Sequence, residues 1–129
     1  MVNKMETMQF KAKIPSGTST RLYERIKSNG TIEKVYVRFY PGQEGTLQVR
    51  PYINHIGQKI EDLVTYPNGV DHYLSGDDDF LEFPVSIPVA NDDEVAVYVQ
   101  NTGDYDYTLD VKIVVDYRGG LKSIVGGVF

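Results

Sequence analysis

At 129 residues, 41% apolar and 24% charged, the chain is sized for one globular domain and is too apolar to be disordered throughout. It has no cysteine, which removes disulfides and thiolate metal sites and favours assembly in a reducing cytoplasm. Its net charge of −5 argues against nucleic-acid binding, which rests on a basic surface that displaces counterions.

Met1 to Phe10 holds no apolar stretch long enough for a signal peptide, and no run elsewhere approaches a membrane span, so a soluble chain is expected. Met8, Phe10, Ala12 and Ile14 alternate with polar residues and predict a first strand, ended by Pro15-Ser16-Gly17. Over 18–27, Thr18, Thr20, Leu22 and Ile26 oppose Arg21, Tyr23, Arg25 and Lys27; β-branched and aromatic content favours a strand over a helix. Asn29-Gly30 is a tight-turn signal of the kind that joins hairpin strands. From Thr31 to Tyr40, Val35, Val37 and Phe39 point inward and Tyr36, Arg38 and Tyr40 outward, until Pro41-Gly42 breaks the strand. Leu47, Val49 and Ile53 mark the next strand, in which Pro51 predicts an edge or a bulge.

Residues 56–79 are the least regular. The spacing of Ile60, Leu63 and Val64 leaves a single helical turn or a short strand open, followed by a turn at Pro67-Asn68-Gly69 and an exposed polar loop at 75–79. Thereafter a period of two dominates. It runs through Leu81, Phe83, Val85, Ile87 and Val89, then Val95, Val97 and Val99, then Tyr105, Tyr107, Leu109, Val111, Ile113, Val115 and Tyr117. Seven strands and an eighth candidate at short intervals specify an all-β, antiparallel β-sandwich, jelly-roll-like, of about eight strands. An immunoglobulin-like sandwich comes second, without the Cys and Trp marks of that fold. Residues 1–118 form the single β-sandwich domain and 119–129 a C-terminal apolar tail.

Charge is uneven along the chain: residues 1–70 carry ten Lys/Arg against six Asp/Glu, and residues 71–116 carry one against twelve. Acidic turns account for this, as does a polarised surface for ordered association of copies. The acidic loops offer hard oxygens to Ca²⁺ from Asp77, Asp78 and Asp79, from Asn91 to Glu94, and from Asp104 and Asp106, but no EF-hand pattern is present. Solvated turns are the expected outcome, with no metal bound. His55 and His72 fall in no metal-binding pattern and read as surface or turn residues, and no serine sits in Gly-x-Ser-x-Gly. No catalytic residue, cofactor or phosphate loop is indicated, and the reading is non-enzymatic.

Ten tyrosines and no tryptophan bear on sugar binding, because flat aromatic platforms on strands take sugars. Tyr36, Tyr40, Tyr52, Tyr66, Tyr73 and Tyr98 are the candidates, with Tyr36 and Tyr98 in the outward phase. In the tail, Leu121, Ile124, Val125, Val128 and Phe129 follow a joint at Arg118-Gly119-Gly120. Either they fold back over an open end of the sandwich or they dock on another subunit, which makes them the candidate protein interface.

The short Cys-free chain, strands such as Val35-Tyr36-Val37-Arg38-Phe39 and Thr46-Leu47-Gln48-Val49-Arg50, and the ending Tyr107–Ile113 with its glycine-jointed tail carry a resemblance. Over most of 5–118 the chain resembles the small β-sandwich accessory proteins of tailed-phage virions, the head decoration and head-fibre proteins. The resemblance implies a structural virion protein, assembled in the host bacterial cytoplasm as a trimer or larger ring on a major capsid protein lattice. It transfers no functional residue. The alternative is a carbohydrate-binding β-sandwich module; a hydrolase comes third. Neither leading function calls for nucleic acid or a membrane.

Overall fold

The computed structural model describes residues 5–56, 60–66 and 73–117. Among these residues eight strands run in chain order: β1 (Met5–Ile14), β2 (Ser19–Arg25), β3 (Gly30–Phe39), β4 (Leu47–Asn54), β5 (Ile60–Asp62), β6 (Asp79–Val89), β7 (Glu94–Asn101) and β8 (Tyr107–Asp116). They form two four-stranded sheets, β1-β8-β3-β6 and β2-β7-β4-β5, and every pairing is antiparallel. Pairing β1 with β8, β2 with β7, β3 with β6 and β4 with β5 is the pattern of one long hairpin, its tip at β4–β5, rolled over on itself. That is an eight-stranded jelly roll. Only β4 and β5 are neighbours both in sequence and in a sheet, which sets the immunoglobulin-like alternative aside.

The alternation read from sequence selects the inner faces. Val35, Val37 and Phe39 of β3, Leu109, Val111, Ile113 and Val115 of β8, and Val95, Val97 and Val99 of β7 are all buried. Each buried aliphatic contributes about 1.5–3 kcal/mol over its exposed state, so inverting any one strand would forfeit several such terms. In β3 the ladder shifts register between Ile32 and Lys34, and this bulge at Glu33 lets both Ile32 and Val35 face inward although three positions apart.

Some local expectations are corrected. Asn29-Gly30 closes no hairpin, because β2 and β3 lie in opposite sheets and the chain crosses between them. Gly30 is instead required by close approach: a Cβ there would stand 2.8 Å from the Asp116 carbonyl oxygen. Asn29 Oδ1 accepts the Asn91 N–H at 3.0 Å and ties that crossover to the β6–β7 turn. Tyr105 drops out of the alternation; it is 72% exposed in the turn before β8. The uncertain segment contributes a strand, the three-residue β5, and its helix-like spacing arises because Leu63 and Val64 turn into the core just beyond it. Leu63 N–H donates to the Pro51 carbonyl at 3.1 Å.

Pro51 is accommodated without a bulge. Val49 exchanges both backbone bonds with Leu74, on the side of β4 away from β7. Two residues on, the Pro51 nitrogen faces that same outer side, where the β7 ladder asks for no donor. The loop at 75–79 is confirmed as polar, although Asp79 already belongs to β6. Among the described residues no helix is long and apolar enough to cross a membrane. The turn assigned to Pro67-Asn68-Gly69 and the tail of 119–129 lie outside the described residues.

Candidate functional site

Because inner positions are fixed by the core, the intervening residues of β1-β8-β3-β6 face outward as a set. Across this sheet the ladder aligns Gln9, Lys112, Tyr36 and Glu82 in one row. In the next, Lys11 stands opposite Asp110 and Arg38 opposite Phe80. Tyr36 and Phe80 are diagonal neighbours whose rings stack, with centroids 5.7 Å apart and planes 13° from parallel. Phe80 is 62% exposed on an edge strand and does no packing for the core. With Arg38, Asp110 and Lys112 the two rings line an open depression of about 400 Å³.

The polar groups around the rings are held in place. Arg38 Nη1 donates to the Phe39 and Asp79 carbonyls at 2.8 and 3.2 Å, and Nη2 donates to Asp78 Oδ1 at 3.0 Å. Its guanidinium lies 5.0 Å from the centroid of the Tyr40 ring. The Tyr40 hydroxyl donates to Asp110 Oδ2 at 2.8 Å, and this bond, aided by burial, raises the Tyr40 pKa above its ordinary value. Gln9 Nε2 donates weakly to Asp110 Oδ1 at 3.4 Å. The Asp110 carboxylate is thus fixed as an acceptor beside an exposed aromatic surface.

The outer face of β2-β7-β4-β5 holds the same residue types in a different state. Tyr23 and Tyr52 flank Ala96 in one row, and Arg21 and Arg50 flank Tyr98 in another. The small Ala96 leaves room for Arg21, whose Nε donates to the Tyr52 hydroxyl at 2.6 Å and whose Nη2 pairs with Glu94. Arg50 Nε donates to Asp62 Oδ1 at 2.8 Å, with its guanidinium 5.7 Å from the Tyr52 ring centroid. Tyr52 is buried under these cations.

At one end of the sandwich His55 bridges two carboxylates. Nδ1 lies 2.8 Å from Asp93 Oδ2 and Nε2 2.9 Å from Glu61 Oε1. Burial opposes the charged imidazolium, but the bonds to Glu61 and Asp93 outweigh it and raise the His55 pKa. Asp93 is buried, which opposes its ionisation. It also accepts the Ala90 and Ile56 N–H groups at 2.8 and 3.2 Å, and together with His55 these hold its pKa below the ordinary value. The arrangement ties the end of β4 to the β6–β7 turn.

The acidic loops do not converge. Asp77 accepts the Gly42 N–H, Asp79 the Asp77 N–H, and Asp106 the Ser16 N–H, while Asp78 pairs with Arg38 and Glu94 with Arg21. Among the described residues no three His, Cys, Asp or Glu side chains gather as cation ligands. The tyrosine candidates also divide. Tyr36 and Tyr98 share the outward phase but sit on opposite faces of the molecule, so they form no common platform, and Tyr66 is buried. His72 and the interface candidates Leu121, Ile124, Val125, Val128 and Phe129 lie outside the described residues.

Phe80, Arg38, Asp110 and Lys112 were not singled out from sequence. A signal for one was present: Phe80 immediately precedes the inward series Leu81, Phe83, Val85, and so is a large aromatic in the outward phase of its own strand. The other three acquire meaning only through the pairing of β8 with β3, which brings together positions more than 70 residues apart.

No protein-family model matches the chain, and no curated protein matches it. Among solved structures, CBM32-1 from a family 31 glycoside hydrolase of Clostridium perfringens aligns with 88% of this chain and 93% of its own, at 13% identity and a TM-score of 0.47. A chain of the infectious bursal disease virus Gx strain aligns with 89% of this chain and 32% of its own, at 11% identity and a TM-score of 0.44. The serine protease of Aeromonas sobria aligns with 88% and 27%, at 11% identity and a TM-score of 0.42. These likenesses concern β architecture and assign no family or activity to this chain.

Proposed function

We propose that this chain is a non-enzymatic binding domain that takes a saccharide on the outer face of β1-β8-β3-β6. The observation that carries the reading is the Tyr36–Phe80 stack, with Phe80 largely exposed beside the fixed Asp110 carboxylate. A sugar ring presents an apolar C–H face and a rim of hydroxyls. Two near-coplanar rings suit the first, while an immobilised acceptor and neighbouring cations suit the second. The depression falls within the roughly 300–1,000 Å³ spanned by small-molecule sites. The non-enzymatic part of the reading is supported by what lines the depression. Glycoside hydrolysis uses a pair of carboxylates, and Asp110 is the one acid among the lining residues, with His55 outside them. A glycan array comparing the parent protein with Phe80→Ala tests the reading: retained signal in the variant would count against it.

A second reading keeps the structural virion protein, of capsid decoration or head-fibre type, as the setting. The jelly-roll topology is compatible with it, since that architecture serves capsid and lectin domains alike. Its partners would be further copies and a capsid lattice, joined through the tail. Mass measurement in solution and co-sedimentation with capsids test this setting separately; a monomer that ignores capsids would remove it and leave the saccharide face untouched.

A further inference from the structure

Resting on the saccharide reading, we infer that the ligand is acidic, a sugar bearing a carboxylate or sulfate held by Lys112 while its ring lies on Tyr36 and Phe80. The inference comes from how charge is distributed and committed on this face. The chain carries a net charge of −5, yet the outward rows around the stack bring Lys11, Lys34, Arg38 and Lys112 together with Asp110 and Glu82, and Asp78 stands against Arg38.

Both acids have partners on the protein. Asp110 accepts from Tyr40 and Gln9, and Glu82 is 3.9 Å from Lys34. Arg38 is spent on two backbone carbonyls and Asp78. Lys112 lines the depression and stands opposite Tyr36 in the ladder, and among the described residues its ammonium has no ion-pair partner. An anion entering here meets an uncommitted cation at Lys112. Of the two acids Glu82 is opposed by Lys34, while Asp110, bonded by the neutral Tyr40 and Gln9, keeps its charge and serves as the acceptor for sugar hydroxyls.

The opposite face makes the contrast sharp, since there Arg21 and Arg50 each already hold a carboxylate. A single-stranded nucleic acid also combines anions with stacking, but it needs a basic groove that tracks a backbone over several nucleotides. Here one aromatic pair and one depression serve one or two rings, which favours the sugar.

Matched ligands test the inference: a uronate oligomer against its methyl ester, sialylated against asialo glycans, and sulfated against unsulfated ones, with a short oligonucleotide as a further arm. Titrations should show at least one acidic member bound about tenfold or more tightly than its neutral partner. The preference should shrink in Lys112→Gln and fade as salt rises, because exposed charges are screened over about 8–10 Å at physiological ionic strength. Phe80→Ala should weaken acidic and neutral members together. Equal binding of both members, unchanged in Lys112→Gln but lost in Phe80→Ala, would overturn the acidic preference and leave the saccharide reading standing. Binding to no sugar would overturn both, as would binding to the oligonucleotide alone.

Discussion

The two outer faces of this sandwich contain nearly the same ingredients and differ in how their cations are paired and their rings stacked. On β2-β7-β4-β5, Arg21 and Arg50 lie over Tyr52 and each closes onto a carboxylate, so that ring is buried and those two cations are matched, although Tyr23 and Tyr98 beside them stay exposed. On β1-β8-β3-β6, Phe80 is open to solvent beside a half-buried Tyr36, and Lys112 is left without an acid among the described residues. Composition therefore does not mark a binding face. What marks it is surface and charge that the protein has not already used, because a ligand gains most where it need not displace an internal partner.

The first way to break the comparison is to remove the support both faces share. Val111 is fully buried beneath Asp110 and Lys112, and Val111→Asp places a carboxylate in the core. The expected loss is several kcal/mol, comparable to the whole stability of a marginal domain, and denaturant unfolding should find the variant largely unfolded. Melting like the parent would mean that the phase of β8 is wrong.

Next come paired truncations, one on each face. Tyr52→Ala removes a buried ring and its hydroxyl bond to Arg21, and should cost about 2–4 kcal/mol in denaturant unfolding. Phe80→Ala removes an exposed ring, and its melting should stay within about 0.5 kcal/mol of the parent while saccharide affinity falls about ten- to a hundredfold. Reversal of the two outcomes would exchange the roles assigned to the faces.

The sequence made the two faces hard to separate for a physical reason. Period-two alternation decides which side chains are inner, and for β3, β6, β7 and β8 the inward residues read from sequence, Tyr105 apart, are those found in or against the core. Alternation is silent on which strands share a sheet. Tyr36 and Tyr98 are equally outward by phase, and only the order β1-β8-β3-β6 puts one beside Phe80 and Lys112 and the other between Arg21 and Arg50. Asn29-Gly30 misled for a related reason. Glycine serves close approach as well as left-handed turns, and the Asp116 carbonyl that excludes a Cβ at Gly30 is 86 positions away. His55 showed no local pattern because Asp93 comes to it from the far side of the β4–β5 tip.

That bridge gives a smaller effect, one that should leave both faces unchanged. His55 has a raised pKa in the fold, so its contribution is complete below its unfolded value of about 6.5 and is lost as pH rises through the folded value. Asp93 has a lowered pKa, so its contribution is present above about 4 and is lost as pH falls through the folded value. Between those limits both contribute. Denaturant midpoints should be higher at pH 5.5 than at pH 8.5, and His55→Gln should reduce the difference. An unchanged difference would show that other groups set it.

The claim that the unspent face is the binding face is tested most directly by backbone amide chemical-shift perturbation during titration with the tightest acidic saccharide. The account predicts shifts concentrated at Tyr36, Arg38, Phe80, Asp110 and Lys112, with Arg21, Tyr23, Arg50 and Tyr52 unmoved. Shifts centred on that second group instead, with Phe80 and Lys112 silent, would contradict it.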